Sequence, residues 1–144
     1  MQNTNASYRI WNLVFGWSVF AIALFTFGST VEPTASFWDA GEYISTSAKL
    51  QVGHPPGAPF FQMMGAFFAL FASGPEKIAL MLNYMSVFSS AFTILFLFWT
   101  LTLLLKKLPF FKTLDSIPDH IGFFGSAAVG LSLIHISEPT RRTP

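Results

Sequence analysis

Three ionisable side chains that could do chemistry lie close together in this sequence: Asp39, Glu42 and His54. Glu42 follows Asp39 by about one helical turn, so the two carboxylates share a face of any helix formed there. A carboxylate can act as a general base, and an imidazole can donate a hydrogen bond to a phosphate oxygen or relay a proton. Because these polar residues lie between two long apolar segments, this stretch is where we expect a functional site.

Each of the three residues also has a purely structural interpretation. Asp39 could complete a capping box with Ser36, three positions before it. Glu42 could orient the base or bind acceptor or metal, or it could simply pair with a lysine in solvent. His54 could be a structural loop histidine, held by the two prolines that follow it. Lys49 is interpreted as structural, with its stem reaching toward lipid headgroups.

The composition indicates a membrane protein. Of the 144 residues, 52% are hydrophobic, only 10% are charged and 18 are Phe, which lies outside the range of soluble domains. A net charge of +1 leaves no basic stripe for nucleic-acid phosphates, so no nucleic-acid partner is expected. Without cysteine there is no disulfide and no thiolate metal site, and the redox compartment stays open.

Two long apolar segments predict membrane-spanning helices, at about residues 11–28 and 78–105. The first is about 27 Å long as a helix, and the second, at about 42 Å, must tilt or project. A cleaved signal peptide is the alternative for the first, but its apolar region would be shorter, and Trp11 and Trp17 are typical of interfacial anchors. A third, incomplete span begins at about residue 121.

Two shorter helices are predicted between the spans, at about residues 37–50 and 58–72, and we expect both at the membrane surface. The first is amphipathic, ends at Gly53 and has an apolar stripe of Tyr43, Ile44, Ala48 and Leu50. The second is apolar but short, which favours an interfacial or re-entrant segment over a full span.

Charge placement favours the same topology. If residues 58–72 do not cross the membrane, Lys106, Lys107 and Lys112 lie on the side of Arg9, as the bias of Lys and Arg toward the cytoplasm predicts. If they do cross, those lysines face outward. The first topology makes the loop with Asp39 extracytoplasmic.

The last residues differ from the rest. From Ser132 onward the chain turns polar, and its SLIHISEPTRR run resembles translated adapter sequence. We therefore expect residues 1–131 to be the N-terminal part of a larger membrane domain, and residues 132–144 to be a non-native or disordered tail.

Two motifs in the predicted loop, WDAGE at residues 38–42 and VGHPPG at residues 52–57, resemble glycosyltransferase family 117, which is similar to the transmembrane protein 260 group of protein O-mannosyltransferases. The resemblance implies an all-α, polytopic membrane protein of the GT-C architecture, in the bacterial inner membrane. It implies a sugar donor on polyprenyl phosphate, a hydroxyl acceptor on a protein or glycan, and a catalytic acid in the first extracytoplasmic loop. Asp39 matches that acid, with Glu42 beside it and His54 near the donor phosphate.

Two departures from the pattern limit the prediction. In the protein O-mannosyltransferases a glutamate directly follows the catalytic acid, whereas Ala40 and Gly41 separate Asp39 from Glu42 here. The later helices that complete the donor pocket are missing, so this piece alone is not expected to be active. Asp39, Glu42 and His54 are too few and too mixed a set to predict a metal site, and no cofactor is predicted.

Two other classes of protein stay open. A transporter or channel subunit would use the polar loop as a vestibule, but it would also be expected to place ionisable residues within its spans, and residues 11–28 and 78–105 contain none. In a structural membrane subunit, Asp39, Glu42 and His54 would tolerate alanine.

Overall fold

The structure is a computed structural model that describes residues 2–35, 39–54, 58–107, 122 and 125–132. These residues form helices and their connections, without a strand among them, which confirms the all-α prediction. In chain order the helices are α1 (Gln2–Ser29), α2 (Ala40–Lys49), α3 (Pro59–Ala69), a 3₁₀ turn (Pro75–Lys77) and α4 (Ile78–Lys107). Residues 125–132 are also helical.

Two of these helices are long and apolar enough to cross a membrane: Ser7–Ser29 within α1, and Pro75–Lys107, which contains α4. Helix α1 begins at Gln2, before the predicted start of the first span at about residue 11. Helix α3 has 11 residues. At about 1.5 Å per residue it is about half as long as a hydrocarbon core is thick.

The chain divides into two compact units, and the first combines Met1–Phe27 with Ser90–Pro144. Its core joins α1 to α4 through five buried side chains, which are Val19, Ala23, Ala91, Ile94 and Phe98. The two alanines let the helices approach closely, as small residues do in membrane helix pairs. At the other end of the pair, the Lys106 ammonium lies 4.3 Å from the centre of the Tyr8 ring, within cation–π distance.

The second unit, Gly28–Ser89, contains α2, α3 and the beginning of α4. Helices α2 and α3 pack at Ser47 and Gly65, where a Cβ added to the glycine would lie 2.7 Å from the Ser47 hydroxyl oxygen. The Tyr43 and Phe61 rings pack edge to face beside this contact, with centroids 5.3 Å apart. Close backbone approach therefore holds the two short helices together.

The ends of α2 differ from the prediction. The helix begins at Ala40, with Asp39 as its N-cap residue, so Asp39 is not the third helical residue of a capping box and its side chain makes no cap hydrogen bond. Ser36 lies outside the described residues, as do Pro55, Pro56 and Gly57. The helix ends at Lys49 rather than at Gly53.

A Schellman motif explains the early C-terminus. The Gln51 N–H donates to the Thr46 carbonyl at 2.8 Å and the Leu50 N–H donates to the Ser47 carbonyl at 3.2 Å. Leu50 therefore adopts the left-handed conformation, φ 50° and ψ 45°, that glycine usually supplies. The prediction that Gly53 ends the helix was therefore wrong, although the predicted limit of about residue 50 is within one residue of Lys49.

Candidate functional site

Glu42 and His54 form the best-defined polar contact of the second unit. The His54 backbone N–H donates to Glu42 Oε1 at 2.7 Å, and His54 Nδ1 lies 2.7 Å from Glu42 Oε2. One carboxylate thus holds both the main chain and the ring of a residue that follows α2. The side chains stay partly open to solvent, with 55% of His54 and 37% of Glu42 exposed. The solvated lysine pair considered for Glu42 is replaced by this histidine.

The pair changes the acid–base behaviour of both groups. The hydrogen bond that the His54 backbone N–H donates, followed by the bond to the His54 ring, lowers the pKa of Glu42. The hydrogen bond to Glu42, then its charge and, to a smaller extent, the charge of Asp39, raises the pKa of His54. The imidazole is therefore biased toward its protonated form.

Asp39 lies at the N-terminus of α2, in an exposed position. Its charge acts on His54, so the structure brings all three predicted site residues into one electrostatic neighbourhood. Its backbone carbonyl accepts the first hydrogen bond of the helix, from the Tyr43 N–H at 2.9 Å. Its side chain makes no cap hydrogen bond, and the residue is exposed.

A second layer of polar residues lies beneath the Glu42–His54 pair. The buried Gln62 amide donates to the Thr46 hydroxyl at 3.3 Å, and that hydroxyl donates to the Glu42 carbonyl at 2.8 Å. A Cβ added to Gly53 would lie 3.0 Å from Glu42 Oε1 and 3.3 Å from the Gln62 amide nitrogen. Sequence reasoning singled out neither Gln62 nor this role of Gly53. A glutamine within the otherwise apolar helix α3 was the available signal.

Asn83, near the beginning of α4, joins segments that lie far apart in the sequence. Its side-chain amide donates to the carbonyls of Glu32, at 2.7 Å, and Thr34, at 3.0 Å. It thereby attaches the chain that leads toward α2 to the beginning of α4. Hydrogen bonds so far apart in sequence are not visible in a local pattern.

Helix α3 turns its large apolar side chains outward. Phe60, Met63, Met64 and Phe67, one helical face by their spacing, are exposed, whereas Gln62 and Gly65 are buried. Phe60 is 77% exposed. Exposed aromatic residues next to a buried amide invert the usual order of a soluble helix.

Within the described ranges, no group of three His, Asp or Glu side chains is placed to hold a metal ion. Glu42 and His54 supply two such side chains, engaged with each other.

The sequence model of one protein family, described as Protein O-mannosyl-transferase TMEM260 N-terminal domain, matches residues 39–140, more than half of the chain. The chain belongs to this family. The matched range contains Asp39, Glu42 and His54, and it reaches into the tail that begins at Ser132, whose origin stays a prediction. No curated protein and no solved structure matches the chain.

Membership of the TMEM260 N-terminal family confirms the resemblance carried by the two loop motifs. The family name suggests a glycosyltransferase of the protein O-mannosyltransferase kind. Together with the two long apolar helices, it indicates a membrane protein.

Proposed function

We propose that the protein transfers a sugar from a polyprenyl-phosphate donor to a hydroxyl of a protein or glycan, as a GT-C type membrane glycosyltransferase. The reaction takes place at the loop containing α2, on the extracytoplasmic face of a bacterial inner membrane. Asp39 is the general base, His54 binds the donor phosphate, and Glu42 holds His54. No metal or cofactor is assigned to the reaction.

The Glu42–His54 contact is the observation that carries this proposal. Because Nδ1 is engaged with Glu42, Nε2 is the ring nitrogen available to a ligand at a side chain that is 55% exposed. The raised pKa of His54 favours the form in which Nε2 carries a proton. A fixed, protonated imidazole suits a phosphate oxygen, since a charge-assisted hydrogen bond is stronger than a neutral one.

The proposed step balances as a substitution at the anomeric carbon of the sugar. The Asp39 carboxylate takes the proton of the acceptor hydroxyl, whose oxygen forms the new bond to that carbon. The bond between the carbon and the phosphate oxygen breaks, and polyprenyl phosphate leaves with the electron pair. The His54 Nε2–H donates to the phosphate, where negative charge develops, which lowers the barrier electrostatically.

The outward apolar face of α3 supports a lipid partner. Leaving a Phe or Met side chain in water rather than burying it costs about 1.5–3 kcal/mol, and this face exposes several of them. Contact with membrane lipid removes that cost, so α3 lies against lipid while α2 carries the reacting groups. A lipid-linked donor would reach the site from the same surroundings.

The decisive experiment uses membranes from cells that express the intact gene, with labelled sugar on polyprenyl phosphate as donor. Asp39→Asn is expected to abolish transfer to the acceptor while membrane insertion is unchanged. His54→Gln should lower transfer by about 10²-fold, as loss of one charge-stabilising donor does. Lys49→Gln, exposed at the other end of α2, is the matched control and should keep full activity. Transfer that survives Asp39→Asn would remove Asp39 as the base.

The orientation of the loop is tested with thiol labelling, since the chain has no native cysteine. In intact cells Lys49→Cys should react with an impermeant thiol reagent, and Lys107→Cys should react only after the membrane is opened. The reverse pattern would place the site on the cytoplasmic face.

A further inference from the structure

We infer that Gly53 and Gln62 are positioning residues that hold the Glu42 carboxylate at hydrogen-bond distance from His54. The inference deepens the proposed function, since it concerns how the same site is aligned. Gly53 has no side chain, and the Gln62 amide is buried and bonded to Thr46, so we assign both residues to positioning rather than to contact with a substrate.

The Glu42 carboxylate and the Gln62 amide both lie close to the side of Gly53 where a Cβ would project. The position that a Cβ of residue 53 would take is 3.0 Å from Glu42 Oε1 and 3.3 Å from Gln62 Nε2. Contacts of 3.0 Å are closer than carbon and oxygen normally approach without a hydrogen bond. A side chain at residue 53 would therefore force the Glu42 carboxylate to shift by a few tenths of an ångström, away from the position in which it reaches both the backbone N–H and the ring of His54.

Gln62 supports the same arrangement from α3. Its amide is buried and donates to Thr46, whose hydroxyl donates to the main-chain carbonyl of Glu42. A buried amide donor is unfavourable without a partner, so this bond favours one register of α3 against α2. The contact between Ser47 and Gly65 fixes the spacing of the helices, and the Gln62 bond fixes which turn of α2 lies beneath Gly53.

The test measures the alignment without relying on enzyme turnover. The protein is labelled with ¹³C-histidine and placed in lipid nanodiscs, and the pKa of His54 is measured by NMR. The sequence contains three histidines, so His54→Gln assigns the signal. Gly53→Ala is compared with Gly41→Ala, because a Cβ added to Gly41 meets nothing within 4 Å.

Gly53→Ala is expected to push the Glu42 carboxylate aside and to lower the pKa of His54 toward its ordinary value, whereas Gly41→Ala leaves it unchanged. Gln62→Met, which keeps the length of the side chain and removes the donor, should lower it in the same direction by a smaller amount. If Gly53→Ala does not fold, Gln62→Met decides the question alone. An unchanged His54 pKa in the folded variants would overturn the inference.

Sugar transfer by the same variants separates this inference from the proposed function. If the protein is the proposed transferase, Gly53→Ala should also reduce kcat by up to about 100-fold, the scale of a misplaced reacting group, with the KM of the acceptor little changed. If wild-type membranes transfer no sugar, the proposed function fails. The His54 titration still decides whether Gly53 and Gln62 position the pair.

Discussion

Helices α2 and α3 pack on one another yet turn opposite surfaces outward. Small and polar residues lie at the centre of their shared seam, with the Tyr43–Phe61 ring pair beside them; these residues are Thr46, Ser47, Gln62 and Gly65. Away from the seam, α2 exposes polar groups such as Lys49, whereas α3 exposes Phe60, Met63 and Phe67. The seam joins the two helices largely through small and polar residues. The exposed face of each helix determines whether that helix favours water or apolar surroundings.

This difference in exposed residues indicates that the two helices favour different surroundings. A helix that buries a glutamine and exposes several phenylalanines favours apolar surroundings, because the exposed rings would otherwise cost several kcal/mol together. A helix that exposes a carboxylate at its N-terminus needs the opposite surroundings. The pair is consistent with a boundary between lipid and water, with chemistry on the α2 side.

The largest effect is expected from a direct comparison of these two surroundings. A spin label on Phe67→Cys should collide mainly with oxygen, which partitions into lipid, and a label on Lys49→Cys mainly with a water-soluble nickel complex. Because the chain has no cysteine, each variant carries a single label. Equal exposure of both labels to nickel in nanodiscs would show that α3 faces water. It would contradict the claim that the two helices face different surroundings.

The next effect concerns the seam. Gly65→Ala places a Cβ 2.7 Å from the Ser47 hydroxyl oxygen and 3.3 Å from Leu82 Cδ2. Helix α3 must therefore move away from α2 to make room for it. Overpacking of this kind costs about 1–3 kcal/mol in free energy of unfolding. Thermal unfolding in nanodiscs measures it, with Gly41→Ala as the control. Adding Ser47→Gly should return part of the loss, and strictly additive effects of the two substitutions would contradict direct contact.

A smaller effect of opposite sign is expected at the C-terminus of α2. Leu50 holds a left-handed conformation at φ 50°, which costs a non-glycine residue about 1–2 kcal/mol. Leu50→Gly should therefore raise the free energy of unfolding by about 1 kcal/mol, provided that its flexibility in the unfolded chain does not offset the gain. Lys49→Gly, one residue earlier and helical, should be destabilising. If both substitutions changed the free energy of unfolding in the same direction, the result would contradict the Schellman motif.

The smallest effect is the pH dependence of the Glu42–His54 pair, which is exposed and so contributes little to stability. The contribution of Glu42, whose pKa is lowered, is present above its ordinary value of 4.5 and disappears as pH falls through the lowered value. The contribution of His54, whose pKa is raised, is complete below its ordinary value of 6.5 and disappears as pH rises through the raised one.

The melting temperatures of wild type and Glu42→Gln should therefore differ most between pH 4.5 and 6.5 and converge at both extremes. A difference that is constant with pH would indicate that Glu42 acts by packing alone.

The predictable part of this structure was set by composition and local pattern. Long apolar runs led to α1 and α4, and the WDAGE and GHPPG motifs led to the family, because both signals are contiguous in sequence. The residue that terminates α2 was predicted wrongly, because in this Schellman motif Leu50 takes the place that glycine usually has. The amphipathic pattern of α2 also misled, since Leu50 is exposed and Thr46 is buried.

The candidate site was only partly accessible in the same way. Asp39, Glu42 and His54 could be singled out by residue type. The direct hydrogen bond between Glu42 and His54 depends on a loop conformation, which has no periodic sequence pattern to predict it. The roles of Gln62 and Asn83 depend on partners in other segments. Hydrogen bonds between distant segments depend on the folded structure. The sequence can therefore identify the residue types that could form them, but not which residues pair.

The Asn83 amide has a mechanical consequence. Asn83 donates to two main-chain carbonyls of the connection after α1, and it therefore links the first turns of α4 to that connection. Whatever tilts that end of α4 must carry residues 32–34 with it.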